Sequence, residues 1–235
     1  MSATVAGTTQ HETRTTPTNT ARGRLRAVVF DLDDTLYRER DYVLSGFRAV
    51  GEPLWRMTGC DEDFAGWMYA RFLDGRRESM FDQVNRRFRL GLSALEIGEL
   101  VEVYRIHRPR IRPCRGVEEL LTQLHRRFRL GLLTDGYLPA QQLKLDALGL
   151  AGHFDAVLFT EVLGRDAWKP STTGFERIAA ELDTPHNACV YVGDNPAKDF
   201  VAPNALGWLS VRWRRAGQVH AHGAAPPGGQ AQVTL

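Results

Sequence analysis

Between Leu25 and Trp213 the chain alternates two hydrophobic rhythms: short unbroken apolar runs that end in Gly, Asp or Thr, and longer stretches with apolar residues three or four positions apart. The first rhythm predicts strands buried on both faces, and the second predicts helices that cover them. Five runs predict strands: Leu25 to Phe30, Phe128 to Leu133, Ala156 to Thr160, Cys189 to Val192 and Leu209 to Trp213. Helical spacing predicts helices over Val117 to Phe128, Leu138 to Leu148, Thr173 to Leu182 and Ala197 to Leu206. Strands and helices alternating at these lengths predict an α/β fold with a doubly wound, mostly parallel sheet.

The first two strand runs lie too far apart for a single crossover. Residues 38–113 between them repeat the helical spacing, in Val43, Phe47, Val50 and Leu54, in Phe64, Trp67, Met68 and Phe72, and in Leu95, Leu100 and Val103. This spacing predicts an inserted α-helical domain, broken at Gly51, Gly59 and Gly91, between core segments 23–37 and 114–216. Residues 1–22, rich in Thr and Ala, and residues 217–235, rich in Gly, Ala, Pro and Gln, carry no apolar periodicity. Both ends are expected to be disordered, because neither offers enough apolar surface to offset the entropy of ordering.

Composition narrows the functional classes. Thirty basic residues against 28 acidic ones leave a net charge of +2, which argues against a charge-driven nucleic-acid or membrane partner. No stretch approaches the roughly 18 consecutive apolar residues of a membrane span. The three cysteines, Cys60, Cys114 and Cys189, are odd in number and widely spaced. They read as reduced thiols of a cytoplasmic protein.

The candidate chemistry lies at the strand ends, where open α/β sheets bind ligands. The first strand runs into Asp31-Leu32-Asp33-Asp34-Thr35-Leu36, and four capping-type residues in one hexamer exceed what a helix cap needs. The second ends in Thr134-Asp135-Gly136, a hydroxyl followed by a flexible turn whose amides can face an oxyanion. Lys169-Pro170 follows the third, and the fourth gives Gly193-Asp194-Asn195-Pro196-Ala197-Lys198-Asp199. Asp31, Asp33, Asp194 and Asp199 together concentrate negative charge that calls for a lysine and a hard cation. Oxygen-only donors favour magnesium, and cation, lysine, hydroxyl and amides around one point make a phosphoryl-binding site.

In order and spacing these four segments resemble the four motifs of the haloacid dehalogenase (HAD) superfamily, with the insert where that family carries a helical C1-type cap. The resemblance implies a Rossmann-like core and covers about Leu25 to Ala216. It implies that Asp31 is a nucleophile forming an aspartyl-phosphate, and that Asp33 protonates the leaving oxygen and then activates water. Thr134 and the Gly136 amide would hold phosphoryl oxygens, with Asp135 beside them, and Lys169 would steady nucleophile and phosphoryl group. Mg2+ would sit on the Asp31 carboxylate, the Asp33 carbonyl and Asp194, with Asp199 in reach of the ion or orienting Lys169. The stretch Gly164-Arg165-Asp166-Ala167-Trp168 is about two residues longer than the family's usual loop before its lysine.

A halide leaves without a proton, whereas an alkoxide gains about 10²- to 10⁴-fold from a general acid, so Asp33 argues for a phosphate ester. The expected enzyme is a phosphatase of a small phosphorylated metabolite such as a sugar phosphate or nucleotide. A phosphomutase would use the same motifs, and a non-catalytic phosphoacceptor that binds a partner is the reading from another class. Specificity must come from the insert, where Arg38, just past the first motif, and Arg105, where the insert returns, are candidates to bind a second anionic group of the substrate.

Overall fold

The computed structural model describes residues 24–235; the leader expected over residues 1–22 lies outside the described residues. Six strands form one sheet: β1 (Ala27–Phe30), β2 (Arg129–Thr134), β3 (Ala156–Phe159), β4 (Cys189–Gly193), β5 (Leu209–Arg212) and β6 (Val233–Thr234). All neighbours pair in parallel in the order β3-β2-β1-β4-β5-β6, a doubly wound Rossmann-like topology. The first five strands coincide with the apolar runs to within a residue or two.

Alternation along β1 divides its side chains between two cores. Val28 and Phe30 pack with Leu130, Leu132 and Leu121 on one face, and Ala27 and Val29 with Phe175, Ile178 and Trp208 on the other. Helices α5 (Val117–His125) and α6 (Leu138–Leu148) contribute to the first layer, and α7 (Thr173–Glu181) and α8 (Val201–Ala205) to the second. Contact with α7 requires Gly131, since a Cβ there would come within 2.9 Å of Ile178 Cδ1.

Helix α8 begins later than the apolar spacing predicts. Asp199 Oδ2 accepts the amides of Asp194 (3.2 Å) and Asn195 (2.8 Å), and Asn195 Oδ1 accepts that of Ala197 (3.0 Å). Residues 194–199 are thereby wound into a turn before the helix can start.

The chain leaves the sheet at Tyr37 and returns at Pro113, where these two residues form an isolated antiparallel bridge and the Cys114 amide bonds the Leu36 carbonyl at 2.9 Å. Between them lie α1 (Glu39–Thr58), α2 (Phe64–Leu73), α3 (Met80–Phe88) and α4 (Ala94–Ile106). Val43, Phe47, Val50 and Leu54 of α1 face Phe64, Met68 and Leu100 in a core of their own. Gly59 ends α1 with φ 64° and Gly91 turns the α3–α4 loop with φ 69°. Gly51, expected to break the first helix, lies inside α1. The buried Val50 and Leu54 hold that turn against a glycine penalty of only about 1 kcal/mol.

The expectation of a disordered tail over residues 217–235 is corrected. Gln218 is buried and its Nε2 donates to the Asp34 carbonyl (3.0 Å), the Val219 amide donates to Asp34 Oδ2 (2.6 Å), and β6 pairs with β5. Asn204 Nδ2 holds the carbonyls of Gly228 and Gln230, each at 2.8 Å. Backbone hydrogen bonds to an edge strand and to a buried carboxylate anchor this segment, and neither leaves an apolar period in the sequence.

Among the described residues no helix is long and apolar enough to cross a membrane.

Candidate active site

Strands β1 and β4 are adjacent at the point where the strand order reverses, and their carboxyl ends deliver Asp31 and Asp194 to the same crevice. Asp31 is 4% exposed and its Oδ1 accepts from Lys169 Nζ at 2.5 Å. The same ammonium donates to Asp199 Oδ1 and to the Tyr191 hydroxyl, both at 2.9 Å. The short helical turn at Arg165–Ala167 takes up the longer loop ahead of Lys169, so the lysine still reaches its partners.

Oxygens of Asp31, Asp194 and Asp199 lie within 4.8 Å of one another, and all three residues are buried. Among the described residues Asp194 Oδ2 has no hydrogen-bond partner. Burial first, then the neighbouring Asp199 and Asp31 carboxylates, pushes the Asp194 carboxyl up to about 9. Burial raises Asp31 to about 7 against the opposing pull of Lys169. One lysine therefore undercompensates three acids. An unpartnered buried carboxylate oxygen facing two further carboxylates fits a hard divalent cation.

Asp33 is held by side chains that the sequence reading missed. Its Oδ1 accepts from Lys144 Nζ at 2.8 Å and from the Tyr37 hydroxyl, and its Oδ2 from Gln141 Nε2 at 2.9 Å. Burial alone would raise the Asp33 carboxyl; the Lys144 ammonium and these hydrogen bonds override it and hold the group below the usual carboxylate range. Gln141 and Lys144 stand three residues apart on α6, one face of a single turn, which is the signal that could have found them. Gln141 Oε1 accepts from Lys144 Nζ (2.6 Å), and Gln141 Nε2 also donates to Thr134 Oγ1 (2.6 Å). Asp33 and Thr134 are thus joined through one amide.

Gly136 adopts φ 135°, and a Cβ on it would come 3.0 Å from Gln141 Cδ, so glycine is required by backbone and space together. The Asp135 side chain is committed elsewhere. Its Oδ1 accepts from Thr160 Oγ1 (2.9 Å) and the Lys169 amide (3.2 Å), and its Oδ2 from Lys198 Nζ (3.0 Å). What Asp135 offers a ligand is its backbone, and its carboxylate fixes the base of the Lys169 loop.

A cavity of about 430 Å³ opens over these groups, bounded by Asp31, Asp33, Gly136, Arg105, Lys144 and Asp194 among others. Thr134 lies buried below it, 1% exposed. Arg105 reaches the cavity wall from α4 and stacks its guanidinium 3.8 Å above the Tyr137 ring, bridging insert and core. Arg38 is not brought to the site. It occupies the N-cap position of α1 in an extended conformation, exposed and outside the cavity lining.

Acids at the carboxyl edge of a doubly wound parallel sheet, beside an inserted set of helices, define a Rossmann-like core with a helical insert at its candidate site. The chain belongs to the haloacid dehalogenase-like hydrolases, whose family model matches residues 25–207. It is similar to a glyceraldehyde 3-phosphate phosphatase of Methanopyrus kandleri, 29% identical with 81% of this chain and 84% of the relative covered. The pyrimidine 5'-nucleotidase YjjG of Escherichia coli is 26% identical over 80% of this chain and 87% of its own. In fold it resembles the HAD hydrolase YfnB of Bacillus subtilis, solved with magnesium bound, at a TM-score of 0.65 and 16% identity, with 91% of this chain and 95% of that one covered.

Proposed function

We propose that this hydrolase is a magnesium-dependent phosphatase of a small phosphomonoester, a sugar phosphate, nucleotide or related metabolite. The observation that carries the reading is the pairing of Asp31, held through Oδ1 by Lys169, with the unpartnered Oδ2 of Asp194. Phosphatase relatives at 26–29% identity support the same class.

In this reading the phosphoryl dianion bound beside Asp33 raises its carboxyl from the depressed value of the free site so that it carries a proton. A carboxylate oxygen of Asp31 then attacks phosphorus, the bond from phosphorus to the ester oxygen breaks, and the departing alkoxide takes that proton. Asp33, again a carboxylate, then removes a proton from water as the water oxygen attacks phosphorus, which releases inorganic phosphate and restores Asp31. Lys169 neutralises the nucleophile and the transferring oxygens. The Thr134 hydroxyl and the Gly136 amide are donors for the phosphoryl group. The Asp31 carboxylate, the Asp33 carbonyl and Asp194 would hold the ion, and Mg2+ there supplies Lewis-acid charge for the phosphoryl oxygens. Both Asp199 oxygens are engaged, by Lys169 and by the amides of Asp194 and Asn195, which supports an orienting part for that residue. Arg105 stands on the leaving-group side, where it could meet a distal anion.

The test is phosphate release from a panel of phosphomonoesters by the full chain with MgCl2. Release that stops on chelation and in Asp31→Asn is expected. Metal-independent turnover, or dehalogenation of 2-haloacids in place of ester hydrolysis, would overturn the reading.

A further inference from the structure

A second cavity of about 450 Å³ adjoins the catalytic one and shares with it Glu39, Val101, Tyr104 and His220. Its inner wall is apolar and largely aromatic: Phe47, Phe72, Met80 and Phe81 are each no more than 7% exposed. Its rim is polar, formed by Arg77, Ser79 and Asp82. The Arg77 guanidinium stacks 4.8 Å above the Phe72 ring, and its Nη1 donates to the Val219 carbonyl at 3.2 Å.

The remaining side is closed by the C-terminal segment. Val219 and His220 lie beyond residue 207, where the family match ends, yet both line this cavity. Val219 is pinned from two directions, its amide to Asp34 in the core and its carbonyl to Arg77 in the insert. The C-terminal segment thus supplies one wall of a chamber that adjoins the candidate reacting centre.

We propose that this chamber is the leaving-group subsite and that it takes a planar ring with apolar faces and a polar edge, so that the substrate is a nucleoside monophosphate-like ester. The proposal rests on the phosphatase reading of the adjoining site. A polyol leaving group would set hydroxyls against the apolar side chains of Phe47, Phe72, Met80 and Phe81, and a plain alkyl chain would make no use of the polar rim at Arg77, Ser79 and Asp82. A heterocycle satisfies both requirements, its faces against the phenyl rings and its edge toward the rim.

The experiment compares kcat/KM for uridine 5'-monophosphate, glycerol 3-phosphate and hexyl phosphate with Mg2+, in the wild type, in Ile97→Trp and in Arg77→Ala. Ile97 lines the second cavity and not the catalytic one, so the larger ring fills the chamber alone. The wild type is expected to favour the nucleotide over both other esters by about 10-fold or more. Ile97→Trp is expected to cut the nucleotide-to-glycerol phosphate ratio about 10-fold, and Arg77→Ala, a surface change, to cut it severalfold. Hydrolysis of glycerol 3-phosphate with no preference for the nucleotide overturns the ring subsite and leaves the phosphatase reading standing. Preference for hexyl phosphate, or equal losses on all esters in both variants, also overturns the subsite. No release from any ester overturns both.

Discussion

Lys144 Nζ lies 2.8 Å from Asp33 Oδ1, and the same ammonium sits 4.2 Å from the centroid of the Tyr42 ring on α1. The group assigned to proton transfer is therefore placed from two sides, by α6 of the core and, through Lys144, by the first helix of the insert. Lys144 is itself buried, so its charge is spent on Asp33 and the aromatic face and not on solvent.

Lys144→Met is expected to lower kcat on an alkyl phosphate by about 10- to 100-fold, because a displaced acid forfeits part of the roughly 10²- to 10⁴-fold that general acid catalysis supplies. An aryl phosphate, whose leaving group needs no proton, should lose far less in the step that releases it. Rapid-mixing kinetics on the two esters checks this, and equal losses in that step would make Lys144 a general structural support.

Metal binding has a readout that needs no turnover. Mg2+ is expected to raise the Tm of the full chain, since on the proposed reading the ion would bind a carboxylate cluster that exists only in the folded state. Asp194→Asn should cost the metal-free protein little stability, because the raised pKa of about 9 already favours the neutral form of Asp194. The same substitution should remove the Mg2+ shift. Thermal melts with and without MgCl2 decide it.

Asp135 gives a pH signature. Burial pulls its carboxyl upward, but the charges of the Lys169 and Lys198 ammonium groups, the hydrogen bond from Lys198 Nζ and that from the Lys169 backbone amide hold it below the ordinary value. A carboxylate depressed on folding contributes stability that is complete above its unfolded pKa, about 3.9, and is lost as pH falls through the folded value. Asp135→Asn should therefore cost about 1.5–3 kcal/mol near neutrality, the worth of a hydrogen bond to a charged group. Its gap from wild type should narrow below about pH 4. Denaturant titrations at both pH values test the sign.

Removing residues 217–235 should lower the Tm by about 4 °C or more, on the scale of about 2–4 °C per kcal/mol for a chain of this size. Asp34, 1% exposed, would lose the Val219 amide, and β5 would lose its edge partner. Calorimetry of the truncated and full chains measures the difference; an unchanged Tm would return this segment to the status its composition suggested.

The contrast between that segment and the core explains what was legible in the sequence. Strands buried on both faces leave apolar runs, so Ala27–Phe30 and Cys189–Gly193 were visible, and with them Asp31 and Asp194 at their ends. The tail, held by hydrogen bonds to Asp34 and Asn204 and by pairing with β5, leaves no such run. Gln141 and Lys144 were hidden for another reason. They are ordinary helix-surface residue types, and only the close approach of α6 to the end of β1 turns that face into the support of Asp33. Arg38 fails in the opposite way: nearness in sequence to Asp31 suggested nearness in space, but the turn into α1 carries its side chain outward.

The covalent step is open to direct observation. Asp33→Asn mixed with para-nitrophenyl phosphate and Mg2+ should lose its leaving group without an acid, yet lack the base that activates water, so the phosphoryl group should remain on the enzyme. Acid quenching, proteolysis and mass spectrometry should then find one phosphorylated peptide, modified at Asp31. A phosphoryl group on another residue, or none while nitrophenol is still released in the first turnover, would contradict Asp31 as the nucleophile.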